Sequence, residues 1–306
     1  MPPVQFDYKG LIAPVFTPFT PDGHLNLSVI PAYANYLHEN GIKGVLVNGT
    51  TGEGMSMNIE ERKEVAEAWS KAVTSTNQHL MIQVGGSNLP DVIQLAKHAQ
   101  MIGADSILVL PELYFKPDSQ LNLRNYLKTI AQEVPDMPML YYHIPLYTNV
   151  TLDIGSFLDF IGNEIPSLVG VKFTHTDLVQ ASHILNARNG MYKIFLGCDQ
   201  LISSGCVLGI DSFIVTSINL FPKHISKLVH ANEFSDLPDI RKMQEKIISA
   251  IDAITTFGDW IQSMKIAMQI ISPIDVGPPR LPLQPLPSKC YKWIEEALKD
   301  YRSLLK

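Results

Sequence analysis

Eight short runs rich in β-branched and aliphatic residues, each bounded by Gly, Pro or Asn, begin roughly 30 residues apart. They cover 11–16, 44–48, 80–84, 106–110, 139–142, 169–173, 192–196 and 212–216. Helical spacing fills the gaps. In 58–74, Ile59, Arg62, Val65, Ala66, Trp69 and Val73 recur at three- and four-residue offsets, and 91–102 repeats the pattern. A strand, a helix and another strand in series form a parallel crossover unit. Eight such units predict an α/β fold, a (β/α)8 TIM barrel. The rival is an open doubly wound sheet, which carries a Gly-x-Gly-x-x-Gly turn after its first strand, and none follows 11–16. Three further helical patterns, 240–257, 260–271 and 288–305, predict a C-terminal helical extension, with a Pro-rich connector at 277–287. The expected division is a catalytic barrel over 8–235 and helices packed on it over 236–306.

The chain has 306 residues, 46% hydrophobic and 18% charged, enough apolar material for a large core and too little charge for a disordered chain. A formal net charge of -6 argues against nucleic acid or an anionic membrane as a partner and leaves a small molecule. No apolar run approaches the ~18 residues of a membrane span. Three cysteines without a Cys-x-x-Cys pair predict a reducing compartment, and the opening MPPVQFDYKG does not read as a signal peptide. The expected location is the cytoplasm.

In a barrel of this kind, chemistry sits at the C-terminal ends of the strands. The sixth run reads Leu168 to Thr174. Alternation puts Val169, Val171 and Phe173 toward the helices and Gly170, Lys172 and Thr174 toward the mouth. A lysine inside an apolar strand is costly unless its charge is paired or its pKa falls, and a neutral amine is the nucleophile that makes a Schiff base with a ketone. Alternatively its head snorkels to water. Tyr141 and Tyr142 point to opposite faces, so one of them reaches the mouth as a possible proton relay, the other reading being a core tyrosine. His143 has no companion at metal-ligand spacing. The turn Asn48-Gly49-Thr50-Thr51-Gly52-Glu53-Gly54 either gathers N–H and hydroxyl donors around an anion or is a tight strand-to-helix turn. Asp199 and Gln200, at the seventh strand end, either hold sugar hydroxyls or cap the next helix.

Taken in order, GTTGE at 49–53, YHIP at 142–145, GVKF at 170–173 and GCDQ at 197–200 resemble the dihydrodipicolinate synthase/N-acetylneuraminate lyase superfamily, class I aldolases on a (β/α)8 barrel. The likeness runs through nearly the whole chain to GPPRLPLQ at 277–284, and NGTTGEG, YYHIP and GPPRLPLQ are particularly similar to the animal lyases. The resemblance makes Lys172 the Schiff-base lysine and Tyr142 the tyrosine beside the reacting carbons. It places Thr50 and Thr51 on the keto-acid carboxylate, and Thr174, Gly197, Asp199, Gln200 and Thr216 along the sugar chain. It implies cleavage of N-acetylneuraminate to N-acetylmannosamine and pyruvate, without a cofactor or metal, by a homotetramer.

Four positions depart from the lyase pattern. Gln200 stands where Glu is usual, Val215-Thr216 where Gly-Ser is usual, Tyr147 where a small or aliphatic residue is common, and Glu112 where Pro is usual in animal relatives. All lie on the sugar side or its loops. They leave open an aldolase for another 2-keto-3-deoxy acid. Dihydrodipicolinate synthases carry Arg at the position of Tyr147, which argues against that activity. A non-catalytic binding barrel is the reading from another class, with Pro279, Pro282 and Pro285 spaced for a polyproline segment, although a rigid connector is the simpler use.

Overall fold

A computed structural model describes residues 3–234 and 237–305. Seven parallel strands pair in sequence order, from β1 (Ala13–Pro14), β2 (Gly44–Val47) and β3 (His79–Gln83) through β4 (Ser106–Val109), β5 (Met139–His143) and β6 (Leu168–Phe173) to β7 (Lys193–Leu196). The predicted eighth strand at 212–216 is not an extended strand. Its place is taken by Phe213, which bridges Leu196 on one side and Leu11 on the other and so closes the cylinder. The ladder there consists of Leu196 N–H to Ser212 O, Ile214 N–H to Leu196 O, Phe213 N–H to Gly10 O and Ile12 N–H to Phe213 O. It ends quickly because the chain turns at once into a 3-10 turn over Thr216–Asn219.

The interior shows eightfold construction more plainly than the strand boundaries do. Ile12, Leu46, Met81, Leu108, Leu140, Val169, Phe195 and Ile214, one from each stave, form a buried cluster inside the sheet. Val4, Phe6 and Tyr8 pack against it, with Val4 N–H bonded to Pro166 O. A larger cluster, with Val45, Val47, Val171 and Phe173 on its sheet side, fills the space between sheet and helices. Val169 corrects the alternation expected for β6, since it faces inward. Between Leu168, paired with Met139, and Gly170, paired with Leu140, one extra residue bulges and resets the pleat.

The helices follow their sequence signals. The helix α1 spans Ile30–Glu39, and α2 (Ile59–Thr76) opens on a capping box between Asn58 and Glu61. Next come α3 (Leu89–Met101), α4 (Gln120–Glu133), the short α5 (Pro145–Thr148), α6 (Ile154–Ile161), α7 (Leu178–Asn186), α8 (Ile202–Val207) and α9 (Pro222–Phe234). The extension holds α10 (Leu237–Thr255), α11 (Trp260–Ile271) and α12 (Ser288–Leu298), the last running on as a 3-10 segment. The expected boundary at 235/236 lies outside the described residues. The extension grips the barrel's upper rim: Gln244 on α10 accepts from Ser203 N–H and donates to Asp199 O, both at 2.9 Å. The connector is clamped in turn, with Lys265 bonded to Pro278 O and Gln269 to Gly277 O. No described helix is long and apolar enough to cross a membrane.

Candidate active site

Lys172 and Tyr142 are directly opposed partners on β6 and β5. Both side chains are buried inside the barrel, and Lys172 Nζ lies 4.1 Å from the centre of the Tyr142 ring. Among the described residues, no carboxylate comes within ion-pair distance of that amine. Tyr141 turns the other way, into the core behind the sheet. Of the two tyrosines, therefore, Tyr142 is the one at the mouth.

The Tyr142 hydroxyl lies 3.1 Å from Thr50 Oγ1, and the neighbouring Thr51 Oγ1 lies 3.0 Å from Thr216 Oγ1. The turn that presents these two threonines is bent by two non-glycine residues in the left-handed region, Asn48 at φ 60° and Glu53 at φ 53°. Asn48 is held there by a bond from its amide to Arg62 O. A Cβ at Gly54 would run into Asn48 O, which accounts for the third glycine of the motif. Glu53 is fully enclosed. Lys265 Nζ meets its Oε1 at 2.6 Å, and the Arg280 N–H meets its Oε2 at 2.7 Å.

The remaining site residues surround one cavity of about 520 Å³ at the strand ends, which Lys172 and Tyr142 also line. Thr174 Oγ1 is buried and has no protein partner, so its hydroxyl is available to whatever fills the cavity. A Cβ at Gly197 would fall on that oxygen, so glycine here keeps the space open. Asp199 caps neither of the elements that follow it. Its Oδ1 accepts from Ser217 N–H at 2.9 Å, across the mouth in the turn that carries Thr216. Burial pushes the Asp199 carboxyl up from its ordinary value, against the pull of the Ser217 hydrogen bonds. Gln200 sits exposed at the rim and accepts from the Cys198 thiol. All nine residues expected from the sequence therefore line this cavity.

Trp260, Lys265 and Arg280 were not singled out from the sequence. Trp260, on α11, donates from Nε1 to Thr216 Oγ1 at 3.2 Å. Lys265 lies on the buried face of the same helix, one turn after Ile261, where a charged residue among Ile261, Met264 and Met268 was a visible anomaly. His143 stacks on Phe173 with rings 7° from parallel, and burial pushes its pKa down to about 4.

The dihydrodipicolinate synthetase family model matches residues 7–301. The chain belongs to that family. Among curated relatives, N-acetylneuraminate lyase of Gallus gallus is 38% identical over 90% of each chain, and that of Danio rerio is 37% identical over 95% of this chain and 96% of its own. Among solved structures, the N-acetylneuraminate lyase of Proteus mirabilis aligns with a TM-score of 0.90 at 32% identity, covering 97% of this chain and 98% of that one. The sialic acid aldolase of Aliivibrio salmonicida aligns at 0.92 and 30% identity, covering 97% of each. A family fold of this kind places its chemistry at the strand ends, where this cavity lies.

Proposed function

We propose that this protein is a Schiff-base aldolase that cleaves N-acetylneuraminate to N-acetylmannosamine and pyruvate. The observation that carries the reading is the buried Lys172 amine set against the Tyr142 ring, with no carboxylate among the described residues to hold it as an ion pair. The free amine attacks the C2 ketone of the open-chain substrate, and loss of water leaves an iminium. Thr50 and Thr51 hold the adjacent carboxylate. When C3–C4 breaks, its electron pair enters the iminium and forms an enamine, while the C4 hydroxyl loses its proton and becomes the aldehyde of N-acetylmannosamine. Tyr142 carries that proton in this reading, supported by its hydroxyl's 3.1 Å contact with Thr50. Protonation of the enamine at C3 and hydrolysis then release pyruvate and restore the lysine. Atoms and charge balance with water alone, so neither metal nor cofactor enters the scheme.

Thr174, Gly197, Asp199, Gln200 and Thr216 take the sugar chain in this reading. The relatives named N-acetylneuraminate lyase support the substrate. We also assign a homotetramer, supported by the exposed edge-to-face pair Tyr114 and Phe115 on the loop after β4, and a cytoplasmic location, supported by the sparse cysteine set. The barrel over 8–235 and the helices over 236–306 then work as one unit, with Trp260 reaching the site.

Borohydride reduction in the presence of pyruvate tests the reading. A stable adduct on Lys172, absent from Lys172→Ala, is the expected result. No adduct with either pyruvate or N-acetylneuraminate would leave a binding barrel. An adduct with pyruvate, but no cleavage of N-acetylneuraminate, would favour another 2-keto-3-deoxy acid, for which Tyr147 at the rim is the motivating departure.

A further inference from the structure

Splitting N-acetylneuraminate asks two separate things of this cavity. One is an electron sink, which the Lys172 amine supplies once it has become an iminium. The other is an acceptor for the C4 hydroxyl proton. The structure provides them unequally. Lys172 Nζ is buried and lies 4.1 Å from the centre of the Tyr142 ring, and no carboxylate among the described residues pairs with it. An entering ketone therefore meets an amine with no rival partner. The proton acceptor is a phenol, a weak base whose hydroxyl already contacts Thr50 Oγ1 at 3.1 Å.

Stronger bases are scarce around it. Among the described residues lining the cavity, the one imidazole is His175, and its Nδ1 accepts the Asp177 N–H at 3.2 Å. A neutral imidazole has a single acceptor nitrogen, so that ring has no basic nitrogen to spare. The one carboxylate is Asp199, which takes the sugar chain in the aldolase reading and whose Oδ1 accepts from Ser217 N–H at 2.9 Å. The cavity is thus better equipped to receive an electron pair than to remove a proton. A substrate that uses the first capacity and not the second suits it well.

We propose that the same site decarboxylates 2-oxo acids that carry a carboxylate on C3, of which oxaloacetate is the simplest. This second activity rests on the aldolase reading and extends it. Lys172 attacks C2 and water leaves, giving the iminium. The C3–C4 bond then breaks, its electron pair enters the iminium to form the same enamine, and C4 departs as CO2. That carbon carries no hydroxyl proton, so no base acts in the step. The enamine takes a proton from water at C3, and hydrolysis releases pyruvate and restores the amine. In sum, oxaloacetate and one proton become pyruvate and CO2. The cavity of about 520 Å³ admits this smaller acid. Gln200 places an uncharged amide at the rim, and the buried, unpartnered Thr174 Oγ1 offers a hydroxyl to the second carboxylate. Ile144, Ile214 and Ile261 line the same cavity, and apolar walls favour neutral CO2 over the charged group that forms it.

The experiment measures CO2 release from oxaloacetate by wild type, Lys172→Met and Tyr142→Phe. N-acetylneuraminate cleavage and borohydride capture of pyruvate are scored in the same preparations. A chelator is present throughout, because divalent ions decarboxylate oxaloacetate in free solution. Wild type should exceed Lys172→Met by about tenfold or more. Excess pyruvate should inhibit the release, a control that needs no variant, and borohydride with oxaloacetate should leave on Lys172 the adduct that pyruvate leaves. Tyr142→Phe should lower N-acetylneuraminate cleavage by about a hundredfold, the size of one lost proton transfer. Its CO2 release in a single turnover, which precedes protonation of the enamine, should fall by less than about threefold. Release that survives Lys172→Met, or that pyruvate does not inhibit, would overturn the proposal. A parallel fall of both reactions in Tyr142→Phe would overturn it as well, because the phenol would then be serving the electron sink. Pyruvate capture separates the two failures. Capture without CO2 release removes the decarboxylase alone, whereas no capture removes the aldolase reading and the decarboxylase with it.

Discussion

Replacing Lys265 by Met tests how the extension holds the site. Lys265 Nζ is enclosed at the junction of barrel and extension, donating to Glu53 Oε1 at 2.6 Å and to Thr17 O and Pro278 O at 2.9 Å each. Met fills a similar volume, so little of the loss comes from a cavity. What remains is a buried Glu53 carboxylate holding only the Arg280 N–H, and two carbonyls that have lost their donor. Breaking one side of a buried pair costs about 3–5 kcal/mol, mostly from the charge left without a partner. In a chain of this size that lowers the thermal midpoint by about 5–8 °C. Glu53→Gln alone should cost less, because an amide can be buried at lower cost than a carboxylate. The double variant should be more stable than the two single losses predict, by about 2 kcal/mol. Denaturant midpoints for the four proteins, with pyruvate capture on each, complete the test. A Lys265→Met protein within about 1 kcal/mol of wild type would refute the argument, because the charge would then have found water or another partner.

Four further outcomes follow from the same geometry. Lys172→Met should abolish pyruvate capture yet leave the denaturant midpoint equal to or above wild type, since it removes a buried amine that has no ion pair. Gly197→Ala should fold normally but lower kcat/KM at least tenfold, as its methyl group displaces the Thr174 hydroxyl; unchanged turnover would remove that hydroxyl from the site. Trp260→Phe removes the donor to Thr216 and should raise KM several-fold with kcat little changed, read by steady-state kinetics. His79 and His143, both pushed down to about 4 by burial, are neutral in the fold, whereas the unfolded chain takes up protons near 6.5. Stability is therefore complete above pH 6.5 and falls toward pH 4 by about 1.4 kcal/mol per unit for each ring, a slope that His143→Asn should roughly halve in denaturant melts.

What could be read in the chain beforehand was what depends on local period. Alternation along β6 put Lys172 at the mouth, and alternation along β5 put Tyr141 and Tyr142 on opposite faces, the choice of Tyr142 coming from the family resemblance. The three- and four-residue spacing located α2, α3 and α11 to within a few residues. The misplaced features depend on neighbours. Val169 faces inward because β6 slips against β5, and a bulge depends on how two strands pair, a relation invisible in one of them. The eighth stave looks like a strand in composition but is reduced to a bridge at Phe213 by the turn that follows it. Trp260 lies 44 residues from Thr216, and Lys265 lies 212 from Glu53, so no local window joins them. The Pro-rich connector, a possible polyproline segment by its spacing, is bonded to α11 at Gly277 and Pro278 and to Glu53 and Glu61 through Arg280, and so serves the fold.

Among the described residues two lysines are buried, and their surroundings separate chemistry from construction. Lys265 has each of its three protons directed at an oxygen, one of them a carboxylate, and nothing can reach it. Such an amine is committed: its hydrogen-bonding geometry is filled. Lys172 has the face of a phenol ring on one side and an open cavity on the other, lined also by Thr50 and Thr174, and no carboxylate among the described residues pairs with it. An electrophile entering that cavity meets no competing ion pair. The enclosure of the first lysine also serves the second, because the pair formed by Lys265 and Glu53 anchors the turn that presents Thr50 to Tyr142. The extension is therefore part of the catalytic architecture. Its loss would loosen the threonines before it touched the strands that carry the lysine.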